Sequence, residues 1–200
     1  MTSYAMTQPA LADSHTRDVG WWGMALLCAT EGALFACLLT AYLYLGSGSP
    51  RWPPAGFELP KLGMPVLMMV VLLASSAVLA WGERGIRSGH RARLKAGLAG
   101  SILLGIVFLA LQTVEYHNKL SHFGPRTHAY ASLFYTITGF HGAHVTLGLL
   151  ILGFTAVRAL RGHFTSSRYQ GVSNAALYWH FVDGVWVAIV AVLYVSPHLS

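Results

Sequence analysis

Residues 96–116 read AGLAGSILLGIVFLALQTVEY, and Glu115 is the one Asp, Glu, Lys or Arg among them. About 20 consecutive apolar residues is the length of helix that crosses a bilayer. Four further runs flank it: Gly20 to Leu45 and Leu62 to Trp81 before it, Tyr130 to Val157 and Val172 to Val195 after it. The fourth span exceeds the bilayer thickness, so it tilts or protrudes. Breakers separate the runs: Gly46 to Pro50 with Pro53-Pro54, the basic stretch Glu83 to Lys95, Gly124-Pro125, and Arg158 to Gly171.

The composition agrees. Of 200 residues, 54% are hydrophobic and 10% charged, and the mean hydropathy is +0.53. A soluble domain usually carries roughly 25% charged residues. An ordinary cytosolic domain, a disordered chain and a disulfide-rich secreted scaffold are all excluded. The net charge of +6 lies in short loops between apolar runs, which argues against nucleic acid as a partner. The expectation is an all-α, polytopic membrane protein: a bundle of five transmembrane helices forming one domain over residues 20–200. Residues 1–19, with Asp13, His15, Arg17 and Asp18, read as a polar tail without the apolar core of a signal peptide.

Lys and Arg set the orientation. One side holds Arg17, Arg84, Arg87, Arg91, Arg93, Lys95, Arg158, Arg161 and Arg168; the other holds Arg51, Lys61, Lys119 and Arg126. Nine against four places the N-terminus in the cytoplasm and the C-terminus outside. Trp21, Trp22 and Trp81 then belong to the inner interface, and Tyr42, Tyr44, Tyr116, Tyr130 and Tyr194 to an outer aromatic belt. The five basic residues Arg84, Arg87, Arg91, Arg93 and Lys95 are candidate contacts for anionic lipid headgroups, or simply topology signals.

Ionisable side chains at mid-membrane cost roughly 2.5–3.5 kcal/mol each on insertion scales. Glu31 stands halfway along the first span, His141 and His144 in the fourth, and His180 and Asp183 in the fifth; Glu115 is near the outer end of the third. Spacings of three put each of the two pairs on one helix face. Glu31, His144 and Asp183 also fall at similar depth, so an intramembrane polar cluster is expected. Such a cluster can be a hydrogen-bond network that fixes helix register, a proton relay, a metal or haem site, or a substrate pocket.

A haem would have to be held by His144 and His180 across two helices, beside bulky Phe140, Phe181 and Trp186. His128 and His141 are on nearly opposite faces of one helix, and three buried imidazoles are too few for a binuclear haem–copper centre. Cys28 and Cys37, nine residues apart, are about 13.5 Å apart along a helix axis, too far for a disulfide. They read as packing residues, like Gly97, Gly100, Gly139, Gly142, Ala143 and Gly148. There is no CxxC, GxSxG, HExxH or phosphate-binding glycine loop.

Four segments resemble subunit III of the haem–copper respiratory oxidases (cytochrome c oxidase subunit III, short five-helix bacterial form). They are Thr30-Glu31 with Leu34-Phe35, Leu111 to Tyr116 (LQTVEY), Tyr135 to Val145 (YTITGFHGAHV) and Tyr178 to Trp186 (YWHFVDGVW). They stand in the family's order, each on the corresponding helix. Longer members have seven spans, and this chain is similar to the form beginning at the third. It thus lacks the two helices that frame a lipid-filled cleft. Gly184 departs from the larger apolar residue often found there.

The resemblance implies an accessory, non-catalytic subunit without redox cofactors of its own. Haem and copper would reside in its partners, the oxidase catalytic subunit I and the donor-binding subunit II, in a hetero-oligomer of the bacterial inner membrane. It would support assembly, proton uptake and turnover stability. Glu31 matches the buried carboxylate of the family that carbodiimides modify. A quinol oxidase subunit and a nitric oxide reductase accessory protein are same-family alternatives. A small proton-coupled transporter is an alternative of another class; it predicts interrupted helices or repeated halves, and neither is evident. A haem-binding membrane cytochrome is a third.

Overall fold

The computed structural model describes residues 19–54, 59–120 and 124–198. Residues 1–18 of the expected polar tail, Arg17 included, lie outside these residues, and its last residue, Val19, opens α1. Five helices follow one another: α1 (Val19–Ser47), α2 (Gly63–Arg87), α3 (Arg91–Leu120), α4 (Ala129–Leu160) and α5 (Gln170–Ile189). α5 runs on through a π-helical stretch, Val190–Val195, into a 3₁₀ turn, Ser196–His198. All five are long and apolar enough to cross a membrane, and no strand occurs among the described residues. Membrane-facing surface explains why large apolar side chains such as Trp22, Leu103, Leu150 and Phe154 are exposed on the isolated chain.

Several helices run past the apolar stretches that announce them. α2 runs six residues past Trp81, to Arg87, so the basic stretch is mostly helix and only residues 88–90 turn. Glu83, Arg84 and Arg87 end the apolar run without ending the helix, because charged residues are good helix formers. A Schellman turn stops α2: His90 N–H donates to Gly85 O at 2.8 Å and Gly89 N–H to Ile86 O at 2.9 Å, with Gly89 at φ +79°. α4 ends the same way at Gly162, φ +76°, where His163 N–H donates to Arg158 O at 3.1 Å. At its start, His128 in extended backbone caps α4 by accepting Tyr130 N–H through Nδ1 at 3.1 Å.

α2 and α3 form the most extensive contact, and glycines make it close. A Cβ on Gly97 would sit 2.7 Å from Gly82 Cα, so neither position has room for a side chain. α5 touches α1, α2 and α4, and its interior face carries Trp179, Val182, Trp186 and Ile189, all buried. Trp179 occupies a slot cut by two glycines: a Cβ on Gly105 would meet its ring at 2.7 Å, and one on Gly148 at 2.8 Å. α1 is the loosest element. It rests on α4 and α5 and buries only Phe35 and Tyr42.

The outer aromatic belt is only partly a belt. Tyr44 is exposed, but Tyr42, Tyr130 and Tyr194 are buried. Trp52, from the α1–α2 connection, packs edge-on against Tyr42 (5.4 Å between centroids) and Tyr130 (5.3 Å). The aromatic density reads like an interfacial girdle in the sequence, yet it closes one end of the bundle. Trp22 and Trp81 are exposed as a membrane interface requires.

Candidate functional site: the intramembrane polar groups

The expected cluster separates into two bonded groups and one isolated ring. In the first, α1 meets α4: His144 Nε2 lies 3.1 Å from Glu31 Oε2, and His144 Nδ1 lies 2.7 Å from the carbonyl of Phe140, one turn back. Phe35 packs edge-on against His144 at 5.0 Å between centroids. A carbonyl only accepts, so Nδ1 carries the hydrogen. The contact from Nε2 to the carboxyl group then needs one further proton, on the imidazole or on the acid. Either way the pair is neutral overall and holds one proton that can reside on either partner. Both side chains remain partly exposed, at 12% and 31%.

In the second group, α2 meets α5. Ser76 Oγ donates to Asp183 Oδ2 and lies 2.8 Å from His180 Nδ1. With the hydroxyl hydrogen committed to the carboxylate, Nδ1 serves as donor to Ser76. Asp183 is therefore bonded through the serine, and the two residues do not form a direct ion pair. One residue back, Trp179 Nε1–H donates to Ser75 Oγ at 2.9 Å, Ser75 Oγ–H to Leu72 O at 2.6 Å, and Ser101 Oγ–H to Ser75 O at 2.9 Å. α2, α3 and α5 are thereby tied at one level.

His141 stands alone. It is fully buried, neither ring nitrogen has a hydrogen-bond partner, and its ring sits 4.9 Å from Trp186 and 5.6 Å from Phe108. An aromatic box around an unbonded imidazole is a packing environment.

A third set of bonds joins α3 to α4. Gln112 Nε2 donates to Thr138 O at 2.7 Å. Thr138 Oγ1–H goes to Phe134 O at 2.7 Å, so Tyr116 O–H donates to Thr138 Oγ1, 2.6 Å away. Gly142 leaves the room: a Cβ there would lie 2.9 Å from the Gln112 amide. Glu115 pairs with Lys119 at 3.3 Å, and Lys119 Nζ lies 4.5 Å from the Phe134 ring centroid. At the Arg-rich end, Glu83 accepts from Arg87 and from Ser173, both at 2.6 Å, and Arg87 lies over Tyr169. Of the five basic residues expected at headgroups, Arg87 is thus committed within the protein.

Ser75, Ser76, Gln112 and Thr138 are the polar residues that ionisability alone did not flag. For Ser75 and Ser76 the signal was a pair of adjacent serines within an otherwise apolar span. Both cysteines are free. Among the described residues no group of three or more His, Cys, Asp or Glu could hold a metal ion. His144 is engaged at both nitrogens, His180 at Nδ1, and His141 is enclosed by rings.

Residues of all four segments that carried the resemblance take part in these helix contacts. A family model described as cytochrome c oxidase subunit III matches residues 6–197. The chain belongs to that family. It is 39% identical over 178 residues to cytochrome c oxidase subunit 3 of Synechocystis sp., covering 88% of this chain and 76% of the relative. The subunit of Thermostichus vulcanus is 34% identical over 86% of this chain and 85% of its own. An animal relative, from Coturnix japonica, is 36% identical over 86% and 68%. As a member of this family with five membrane-capable helices, the chain is a multi-pass membrane protein.

Proposed function

We propose that the chain is the accessory subunit III of a haem–copper terminal oxidase with cytochrome c as donor, embedded in a bacterial inner membrane. The observation that carries this reading is the family match over nearly the whole chain, with its four motifs placed at helix contacts. Residues 20–200 act as one five-helix domain behind a polar tail, N-terminus in the cytoplasm and C-terminus outside. Haem and copper belong to its neighbours, the catalytic subunit I and the donor-binding subunit II. Names of relatives favour cytochrome c oxidase over the quinol oxidase and nitric oxide reductase alternatives.

Within this role the Glu31–His144 pair is a brace first. α1 has few interior contacts, and the pair supplies its polar link to α4. The same pair can hand its one proton to a neighbouring group, which suits a subunit that supports proton uptake. The Ser76–His180–Asp183 group fixes the register of α2 against α5. Turnover stability follows from a rigid scaffold beside the catalytic subunit.

The test is mild-detergent purification through a tag on this chain, with mass spectrometry and an optical spectrum. Copurification of an oxidase catalytic subunit, with haem absorbance that leaves when partners are stripped away, is expected. Haem retained by the stripped chain, or no catalytic subunit in the gentle preparation, would overturn the proposal.

A further inference from the structure

A groove of about 370 Å³ lies on the membrane-facing surface between α3 and α4. Ala99, Ile102, Leu103 and Ile106 of α3 and Ala156 and Leu160 of α4 line it, and Lys95 is its one charged residue. The two alanines leave the depression that the larger side chains border. From Lys95 to Ile106 is eleven residues, about 16 Å along the helix. That is close to half of the roughly 30 Å hydrocarbon thickness, the depth of one leaflet. The groove is therefore the length of a single acyl chain and opens at the Arg-rich end.

The charges at that end are unbalanced. The ion pairs among the described residues are Arg87–Glu83, Lys119–Glu115 and His144–Glu31, and none involves Arg91 or Lys95. Both are exposed, one turn apart, in a first turn of α3 that contains no acid. Arg91 extends towards the end of α4: a Cβ on Gly162 would lie 4.0 Å from its Nη1. Gly162 is two residues beyond Leu160, so this guanidinium stands beside the mouth of the groove. The N-terminal end of the α3 dipole adds positive potential there.

We propose that this groove binds an anionic phospholipid, one acyl chain between α3 and α4 and the phosphate on Lys95 and Arg91. The site builds on the membrane reading above and goes beyond the oxidase role. It is built by α3 and α4 alone, and of the five candidate headgroup residues it uses two.

The experiment places the full chain, in its native complex, in phosphatidylcholine nanodiscs. These contain a small fraction of photoactivatable phosphatidylglycerol or photoactivatable phosphatidylcholine, with the reactive group on the acyl chain. Peptides carrying Ile102 to Ile106 and Ala156 to Leu160 should be labelled preferentially by phosphatidylglycerol. Lys95→Gln or Arg91→Gln should each lower that preference by about fivefold, as expected for one cation at a membrane surface, while Arg84→Gln should not. Ala99→Phe with Ala156→Phe should remove labelling by both lipids; where that variant fails to fold, the single charge variants decide.

Equal labelling by the two lipids would overturn the proposal, as would Lys95→Gln behaving like Arg84→Gln. Cross-linking of these peptides to a partner protein in place of lipid would also overturn it. Selective labelling of a chain that copurifies with no catalytic subunit would support the lipid site while defeating the oxidase reading.

Discussion

Glu31 and His144 meet 3.1 Å apart across the α1–α4 contact, and the Phe140 carbonyl fixes which nitrogen of the imidazole faces the acid. Glutamine at position 31 can donate an amide hydrogen to Nε2 and keep the link, but it has no proton to pass on. Alanine removes both. Interhelical hydrogen bonds in membranes are worth about 0.6 kcal/mol on average and up to about 1.7. Glu31→Ala should therefore shorten the working lifetime of the complex about 3- to 20-fold and leave initial oxygen consumption largely intact. Glu31→Gln should restore most of the lifetime. Equal impairment of early turnover by Gln and Ala in fully assembled complex would place Glu31 on the main proton path.

The slot for Trp179 gives a position-specific prediction within one helix. Gly148→Ala should destabilise the isolated chain by about 1–3 kcal/mol, because the rigid indole cannot yield 2.8 Å from the new carbon. Gly153→Ala, on the same helix with nothing within 4 Å of its Cβ site, should be neutral or slightly stabilising. Denaturant titration in mixed micelles followed by circular dichroism measures both, and equal effects would contradict the slot.

Ser76→Ala leaves Asp183 and His180 without their shared hydroxyl. A buried group deprived of its partner costs about 1–3 kcal/mol. Asp183→Asn keeps an acceptor for the serine and should cost less. An Asn variant less stable than the Ala variant in the same titration would mean that the carboxylate is held by something other than Ser76.

Glu83 joins Arg87 and Ser173 at the Arg-rich end. Arg87 is half exposed, so its ion pair should contribute under about 1 kcal/mol. Arg87→Gln should therefore change stability little, and the difference should shrink as salt is added. A large, salt-insensitive loss would show that stacking on Tyr169 carries the contact.

Orientation is open to a direct check. A cysteine at Ser47 should react with a membrane-impermeant thiol reagent added outside intact cells, and one at Ser166 only after lysis. The opposite pattern would reverse the assigned topology.

The spans were legible because twenty apolar residues without a charge have one stable solution in a bilayer. The end of α2 was not, since Glu83 to Arg87 leave the hydrocarbon while staying helical. Ionisable residues marked the helices that carry polar contacts. Which of them touch depends on helix packing, and a shared depth does not specify it. Glu31 and His144 pair as their depth suggests, whereas Asp183 turns to Ser76 on α2, a serine with no ionisable signal. His141 carries the same sequence signature as His144, one turn away, yet faces Phe108 and Trp186. A rotation of about 300° between positions three apart separates a bonded imidazole from an enclosed one.

The indole seated between Gly105 and Gly148 has a mechanical consequence. Sliding α3 or α4 by one residue, about 1.5 Å, would bring Leu104 or Ile106, Leu147 or Leu149, towards the ring in place of a bare Cα. Trp179 thus acts as a key in two opposed notches, and α3, α4 and α5 move as one plate. α1 lies outside this plate, held to it by the acid–imidazole latch, by buried Phe35 and Tyr42 and by the half-buried Met24, Cys28, Leu38 and Leu39.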